Sequence, residues 1–575
     1  MSTLRTAPAA PPVAARPARA QASGHRAGGS RADVLAVTAP AALALVLCAL
    51  GLTARSLGFD EAASAAIASQ SGSALGRAIA HDGGNMSGYY LVLHLLVDRF
   101  GDGLFVLRAA GALATAVTVA VTSLLGLRLF DRRVAALAGV LSAVSLPLVF
   151  WGQSARGYAP MVALSTGSFL AFAALIAPDA PGSSPSRARP PVAWLAYVLC
   201  TTLAGYAGFV ALLIVPAQLL IALWRRRALG SVATALGVAA VAWLPLAVLA
   251  VSRGSGQLFW VPRPSLRVGQ QVLEAITSAG LEPSFHPAPS TAWLLGLTIV
   301  VLAGVAVAFA RSPDWRRGLL LSWLFIPGVL AWLESLIGQP LLLPRNLLIV
   351  LPAVALLLAV ALTDPRLPRA AASGLFTVLI VLRAWPLIAA YGVSPEDWKS
   401  ATAQIIDRAR PGDCIAFYPS DARMAFAYYL PRGTGTGAGA GITPPLPRAV
   451  LPTVAWRSKR PFVEAYASIA PAVLRRLPVT CPRLWLVSSH EGQPDGPAPA
   501  RANLARFHAL RGALAGEYAR ASVTQFGYAA PVTVELLSRP KPSQGRSVWA
   551  TKVRALRPAS STPLPTSKHT PTRPL

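Results

Sequence analysis

The chain has 575 residues, 54% of them hydrophobic and only 13% charged, with 52 Lys and Arg against 23 Asp and Glu for a net +29. So few charges could not cover so apolar a core in water, and disordered, collagenous and disulfide-scaffold classes are excluded by the same figures. What remains is a polytopic membrane protein.

The first 33 residues are rich in Ala, Pro, Gly and Arg and carry no periodicity, so they read as a disordered basic tail. Val34 to Ala54 follows without a charge and without a clear cleavage site, and is read as a retained first span rather than a removed signal peptide. Ten later runs have spanning length: 106–127, 134–152, 158–176, 192–207, 208–224, 231–251, 291–310, 318–336, 346–362 and 370–390. Tyr89 to Arg99 is apolar but too short, reaching roughly 18 Å against a hydrocarbon core of about 30 Å, and reads as a helix on the membrane surface.

Charge supports this count of eleven. The clusters at Arg128 to Arg133, Arg187/Arg189, Arg225 to Arg227, Arg311 to Arg317 and Arg366/Arg369 then fall on the side of the N-terminal tail, thirteen arginines against about eight in the outer loops. The same rule explains most of the basic excess without nucleic acid as a partner. It puts the N-terminus in the cytoplasm and, with an odd number of spans, everything after about Tyr391 outside.

The expected organisation is a basic tail (1–33), a membrane domain (34–390) with a long outer loop (55–105), an extracytoplasmic domain (391–538) and a second basic tail (539–575). In the outer domain Pro395 to Arg410 has an amphipathic helical pattern, and Asp413 to Tyr418, Arg483 to Ser488 and Val532 to Leu537 read as strands around a helix at Asn503 to Arg520. Alternating helix and strand predict a small α/β domain. Cys414 and Cys481 lie beside two of these strands, in a compartment that permits a disulfide, whereas Cys48 and Cys200 sit in apolar runs as packing residues. The four cysteines show no zinc spacing.

Chemistry is expected at the outer face. Asp60 and Glu61 come directly after the first span, where a carboxylate can act as general base, bind a metal, or simply mark the water boundary. His81, Asp82 and Asn85 form a Gly-containing polar stretch before the surface helix, equally readable as an ordinary turn. His94 reads as a packing histidine. Arg108, Arg345 and Arg383 sit in apolar surroundings at the outer ends of spans, where guanidinium can hold a phosphate or snorkel toward headgroups. Arg345 stands out because it follows a proline and opens a helix. Gln153 to Tyr158, with Arg156 and Tyr158, joins two spans outside, and the aromatic, Pro-rich loop Ser252 to Ser290 reads as a lid or a connector.

Taken together, FDEA at 59–62, NMxxYYLxLHLL at 85–96, LRAAGAL with LGLRLF and two arginines at 107–133, WGQSARGYA at 151–159, WVPRPSL at 260–266, PRNLL at 344–348 and EDWK at 396–399 resemble the bacterial family 39 membrane glycosyltransferases. These are relatives of protein O-mannosyltransferases and of the transferase that adds aminoarabinose to lipid A, with a C-type glycosyltransferase fold. The resemblance covers roughly residues 34–540. It implies transfer of a sugar from a polyprenyl-phosphate donor, held in membrane lipid, to an extracytoplasmic glycan, lipid or protein.

It also implies a plasma-membrane location and Asp60 as the acid acting at the acceptor hydroxyl or with a metal; a second carboxylate would come from Glu61 or Asp82, and the chemistry of the residues themselves puts forward His81, Asn85, Arg108, Arg156, Tyr158 and Arg345 as the substrate-binding set. In one departure Ser154 stands where the family usually has an acid. Metal dependence stays open, and no other cofactor is expected. A transporter or flippase of a lipid-linked or polar solute is the alternative, disfavoured by the lack of an evident inverted repeat; an inactive scaffold is a third.

Overall fold

The computed structural model describes residues 30–176, 191–226, 228–253, 261–281, 290–433, 445–452 and 471–540. Most of both expected tails, Arg187 and Arg189, Arg227, and Trp260 of the long outer loop lie outside the described residues.

The apolar runs fold as helices because a helix satisfies all its backbone donors and acceptors within one segment, as lipid requires. Among the described residues seven helices are long and apolar enough to cross a membrane, or up to nine if each of two bent pairs is one span. The seven are Arg31–Ala49, Leu104–Leu129, Tyr158–Ile176, Thr291–Arg311, Trp315–Ile337, Pro344–Leu362 and Arg369–Ala390, the sixth of these opening with a 3-10 turn. The pairs are Arg132–Ala143 with Leu146–Gly152, bent by 60°, and Leu229–Ala242 with Leu244–Arg253, bent by 48°. Two shorter apolar helices, Pro191–Ala207 and Phe209–Arg225, complete the set. Each of the eleven runs thus has a helix, a pair or a short helix in its place, while eleven crossings is more than length and composition alone deliver.

The first bend has a local cause. Pro147 opens the second half of the pair, where its missing N–H and fixed φ end one helix and start another. Arg383 does not face headgroups: it is 2% exposed and donates from Nη1 to the Leu141 carbonyl at 2.9 Å, in the last turn before the bend. The end of the first helix is satisfied from a distance, since Gln153 Nε2 donates to the carbonyls of Cys48 and Leu50 at 3.0 and 2.7 Å.

The stretch expected as the outer loop is mostly helical. Phe59–Ala68 and Gly72–His81 precede Ser87–Phe100, which contains the expected surface segment. His94 is a packing histidine, its Nδ1 2.8 Å from the Ala68 carbonyl. Two glycines let the Trp151–Gly157 turn nest on the Leu104–Leu129 helix. A Cβ at Gly111 would lie 2.7 Å from the Gly152 carbonyl oxygen, and one at Gly152 would collide with Thr115 Oγ1.

After the last apolar helix the chain forms a five-stranded sheet from β1 (Cys414–Tyr418), β2 (Arg448–Leu451), β3 (Arg483–Ser488), β4 (Ala519–Phe526) and β5 (Val532–Ser538), in the order β2-β1-β3-β5-β4. β1 is parallel to β2 and β3, and β5 is antiparallel to β3 and β4. Central β1 and β3 are buried on both faces, which is why they read as unbroken apolar runs. β4 alternates exposed and half-buried residues along one edge. Helices Trp398–Arg408 and Ala498–Ala515 fall where helices were expected, the latter starting and ending about five residues early. Cys414 and Cys481 are joined as a disulfide, and Cys48 and Cys200 are free.

Candidate functional site

The site is built on the N-terminus of the Phe59–Ala68 helix. The Ala-rich sequence after Phe59 favours a helix, and Glu61 in its first turn reaches back to accept the Gly58 N–H at 3.1 Å. Neighbouring residues on a helix point about 100° apart, so Asp60 and Glu61 enter different surroundings.

Glu61 turns inward. Arg108 grips it in a two-point ion pair, Nε to Oε1 at 2.9 Å and Nη2 to Oε2 at 2.8 Å, and the Ala155 N–H adds a third bond at 2.7 Å. The other donors of Arg108 go to the carbonyls of Leu52, Arg55 and Ser56, each at 3.0 Å. All five N–H groups of this 1%-exposed guanidinium are therefore used. That departs from the expected phosphate contact, because Arg108 has no donor left to offer. Burial would raise the Glu61 pKa, but Arg108 outweighs it and holds the carboxyl below the usual range.

Asp60 turns outward. Its side chain is 46% exposed, with Oδ2 3.4 Å from Arg345 Nη1 and 3.8 Å from Arg156 Nη2. Enclosure tends to raise its pKa, but Arg156, Arg345 and His490 together hold it below the ordinary carboxylate value. Arg156 also donates from Nη1 to the Asp60 carbonyl, Ser64 Oγ and Tyr90 OH, all at 3.3 Å. Tyr90 OH in turn donates to Asp82 Oδ2 at 2.9 Å. Both guanidiniums lie about 6 Å from the Tyr158 ring, 6.0 Å for Arg156 and 5.9 Å for Arg345.

Asp60, Asp82, Arg156, Tyr158 and Arg345 thus form one continuous cluster. His81 and Asn85 stand apart from these contacts. Arg253 Nη2 lies 3.3 Å from His81 Nε2, and Asn85 Oδ1 accepts the Phe209 N–H at 3.3 Å, a brace between the outer loop and a neighbouring connection. Ser154 is buried, and the adjacent Ala155 amide gives this turn a link to Glu61 instead of a carboxylate of its own.

Three residues of the neighbourhood were not among the expected site residues, although Tyr90 and Glu396 lie in the NMxxYYLxLHLL and EDWK marks. Tyr90 links Asp82 to Arg156, and through it to Asp60, and its local signal was a tyrosine on the buried side of a short helix. Glu396 and His490 come from the domain after the last apolar helix, 337 positions and more beyond Phe59, and their contact with this helix follows from the fold and not from any local pattern.

The cluster suits an anion and a proton. Two arginines beside an aromatic ring can hold phosphate oxygens at the edge of the apolar helices, and an ionised carboxylate beside them can take a proton from a hydroxyl. A metal fits poorly, since Asp60 faces two cations and no group of three His, Cys, Asp or Glu side chains able to hold an ion occurs among the described residues.

No family model matches the chain, and no curated protein does. Among solved structures it is similar to ArnT from Cupriavidus metallidurans in the apo state, at 16% identity over 87% of this chain and 97% of that one, with a TM-score of 0.49. The same enzyme bound to undecaprenyl phosphate gives 16% identity over the same shares and a TM-score of 0.47. The archaeal oligosaccharyltransferase AglB from Archaeoglobus fulgidus, in complex with an inhibitory peptide and a dolichol-phosphate, gives 14% identity over 80% of this chain and 69% of that one, with a TM-score of 0.47. At such identities the likeness is one of architecture, and the chemistry is read from this chain's own residues.

Proposed function

We propose that the protein is a membrane glycosyltransferase that moves a sugar from a polyprenyl-phosphate donor to an acceptor hydroxyl on the outer side of the plasma membrane. The observation that carries this reading is the half-exposed Asp60 carboxylate set beside Arg156 and Arg345, just beyond the first apolar helix of a helical membrane domain. The sequence marks that resemble family 39 glycosyltransferases contribute three of these same residues.

In this reading Arg345, with Arg156, holds the donor phosphate, while the isoprenoid chain lies against apolar helix surface. Asp60 accepts the proton of the acceptor hydroxyl as its oxygen bonds to the anomeric carbon. The bond from that carbon to the phosphate oxygen breaks, and its electron pair leaves with the polyprenyl phosphate, whose growing charge the two arginines stabilise. With one base and, among the described residues, no second carboxylate beside Arg156 and Arg345, a single displacement with inversion at the anomeric carbon is the proposed course. Asp82 acts through Tyr90 and Arg156 and orients the cluster. Glu61 and Arg108 hold the loop and touch no substrate.

The test is transfer of a radiolabelled sugar from polyprenyl-phosphate donors to membrane acceptors. Transfer by the wild type that collapses in Asp60→Asn supports the proposal. Movement of the donor across the bilayer without transfer would replace it with a flippase.

A further inference from the structure

The outer domain is bound directly to the loop that presents Asp60. Ser56 N–H donates to Ser394 Oγ at 2.9 Å, Lys399 N–H to Ser56 Oγ at 3.0 Å, and Leu57 N–H to Tyr429 OH at 2.7 Å. Most directly, the first amide of the Asp60 helix, Phe59 N–H, donates to Glu396 Oε2 at 2.7 Å. That oxygen is fixed from the other side by Trp398 Nε1 at 2.9 Å. A carboxylate at a helix N-terminus satisfies an orphan donor and complements the helix dipole.

Glu396 is itself held. Its Oε1 lies 3.4 Å from His490 Nε2, and the other ring nitrogen of His490 is 2.9 Å from Ser489 Oγ. His490 follows β3 in a left-handed conformation, φ 56°, which non-glycine residues adopt rarely and retain where the surroundings dictate it. Its ring centroid is 5.3 Å from that of Phe59, and it lies near enough to Asp60 for its charge to act on that carboxylate.

We infer that Glu396 and His490, both from the outer domain, are positioning residues for Asp60: Glu396 anchors the first turn of its helix, and His490 fixes Glu396. The inference rests on the catalytic role proposed above for Asp60. Burial, opposed by His490, raises the Glu396 pKa.

Three measurements on the full-length protein in detergent test it: hydrogen exchange over Gly58 to Ala62, binding of undecaprenyl phosphate, and sugar transfer at saturating donor. Glu396→Ala and His490→Ala should speed exchange at Phe59 and lower turnover by about 10- to 100-fold, the cost of a misplaced base. Undecaprenyl phosphate binding should be unchanged, because Arg156 and Arg345 are untouched. Glu396→Gln keeps an oxygen for the Phe59 amide and should recover most of the turnover, and His508→Ala, on an exposed helix of the same domain, should alter nothing. Exchange and turnover unchanged in Glu396→Ala, or no recovery in Glu396→Gln, overturns the inference. A wild type that neither binds undecaprenyl phosphate nor transfers sugar overturns the proposed function instead, and the exchange data then still decide whether this pair anchors the helix.

Discussion

Asp60 and Glu61 are adjacent in the chain, yet one sits on an open face and the other in a closed knot. Every oxygen of Glu61 and every N–H of Arg108 has a partner inside the protein, whereas Asp60 meets its arginines at 3.4 and 3.8 Å and stays 46% exposed. A polar group whose bonding capacity is filled stabilises structure, and one left partly open retains capacity for a ligand. The cluster therefore divides into a clamp, Glu61 with Arg108, and a reactive face, Asp60 with Arg156 and Arg345.

The widest test of that division is Asp60→Asn, which keeps shape and loses the charge. Loss of a positioned base costs about 10² to 10⁴ in rate, so sugar transfer should fall by that factor with membrane insertion and thermal stability unchanged. Asp98→Asn, on the exposed part of the Ser87–Phe100 helix, should be silent in the same assay. A stability loss in Asp60→Asn without loss of transfer would exchange the two roles.

The clamp should respond the other way. Removing one partner of a buried ion pair strands the other, at about 3–5 kcal/mol, so Glu61→Ala should lower the unfolding temperature in detergent and reduce transfer only in proportion to folded protein. Its pH dependence has a definite sign. The folded-state pKa of Glu61 is depressed, so its stabilisation is complete above the ordinary glutamate value and is lost as pH falls through the folded one. The Glu61→Ala variant should lose that part of the acid sensitivity, as thermal melts at a series of acidic pH values would read.

The clamp and the reactive face were legible in the sequence to different degrees. The apolar runs were readable because spanning length is written in uninterrupted hydrophobicity, and Asp60 was readable as the first acid after such a run. That Glu61 belongs to Arg108 was not, because their pairing spans 47 positions and depends on how two helices meet. The bend between Ala143 and Leu146 was hidden inside a run that looked continuous, although Pro147 marked it. The stretch Phe59 to His81, inside the expected loop, is helical because its alanines favour a helix although polar residues interrupt it. Helix Arg423–Gly433 and the two edge strands β2 and β4 carry no clear sequence signal, the helix because it follows a short turn, β2 because it has four residues and β4 because its alternation is mostly polar. Cys414 and Cys481 were readable as neighbours because each borders a buried strand.

Arg345 sharpens the comparison at smaller scale. Lysine would keep the charge but lose the planar fork that can bridge Asp60 and a phosphate oxygen together. Arg345→Lys should weaken undecaprenyl phosphate binding by about tenfold, near 1.4 kcal/mol, with stability unchanged. The same change at Arg108 should instead destabilise the fold, since three loop carbonyls and Glu61 share that guanidinium. Equal donor affinity in Arg345→Lys would reduce Arg345 to an interfacial anchor.

The smallest expected effect is a displacement along the pH axis, and it separates the two acids most directly. If transfer needs the ionised form of Asp60, the acid limb of the turnover profile follows that carboxylate. Enclosure acts to raise its pKa, while Arg156, Arg345 and His490 act to lower it and prevail, so the wild-type limb should lie below the usual carboxylate range. Taking away one of the cations leaves enclosure less opposed. Arg345→Gln, assayed at saturating donor, should therefore move the limb to higher pH, and Arg156→Gln should move it in the same direction. Glu61→Gln should leave the limb of the remaining folded enzyme in place, because Glu61 does not handle the proton. A limb that follows Glu61 and ignores both arginines would assign the titration to the clamp, and the reactive carboxylate would have to be sought on the other side of the helix.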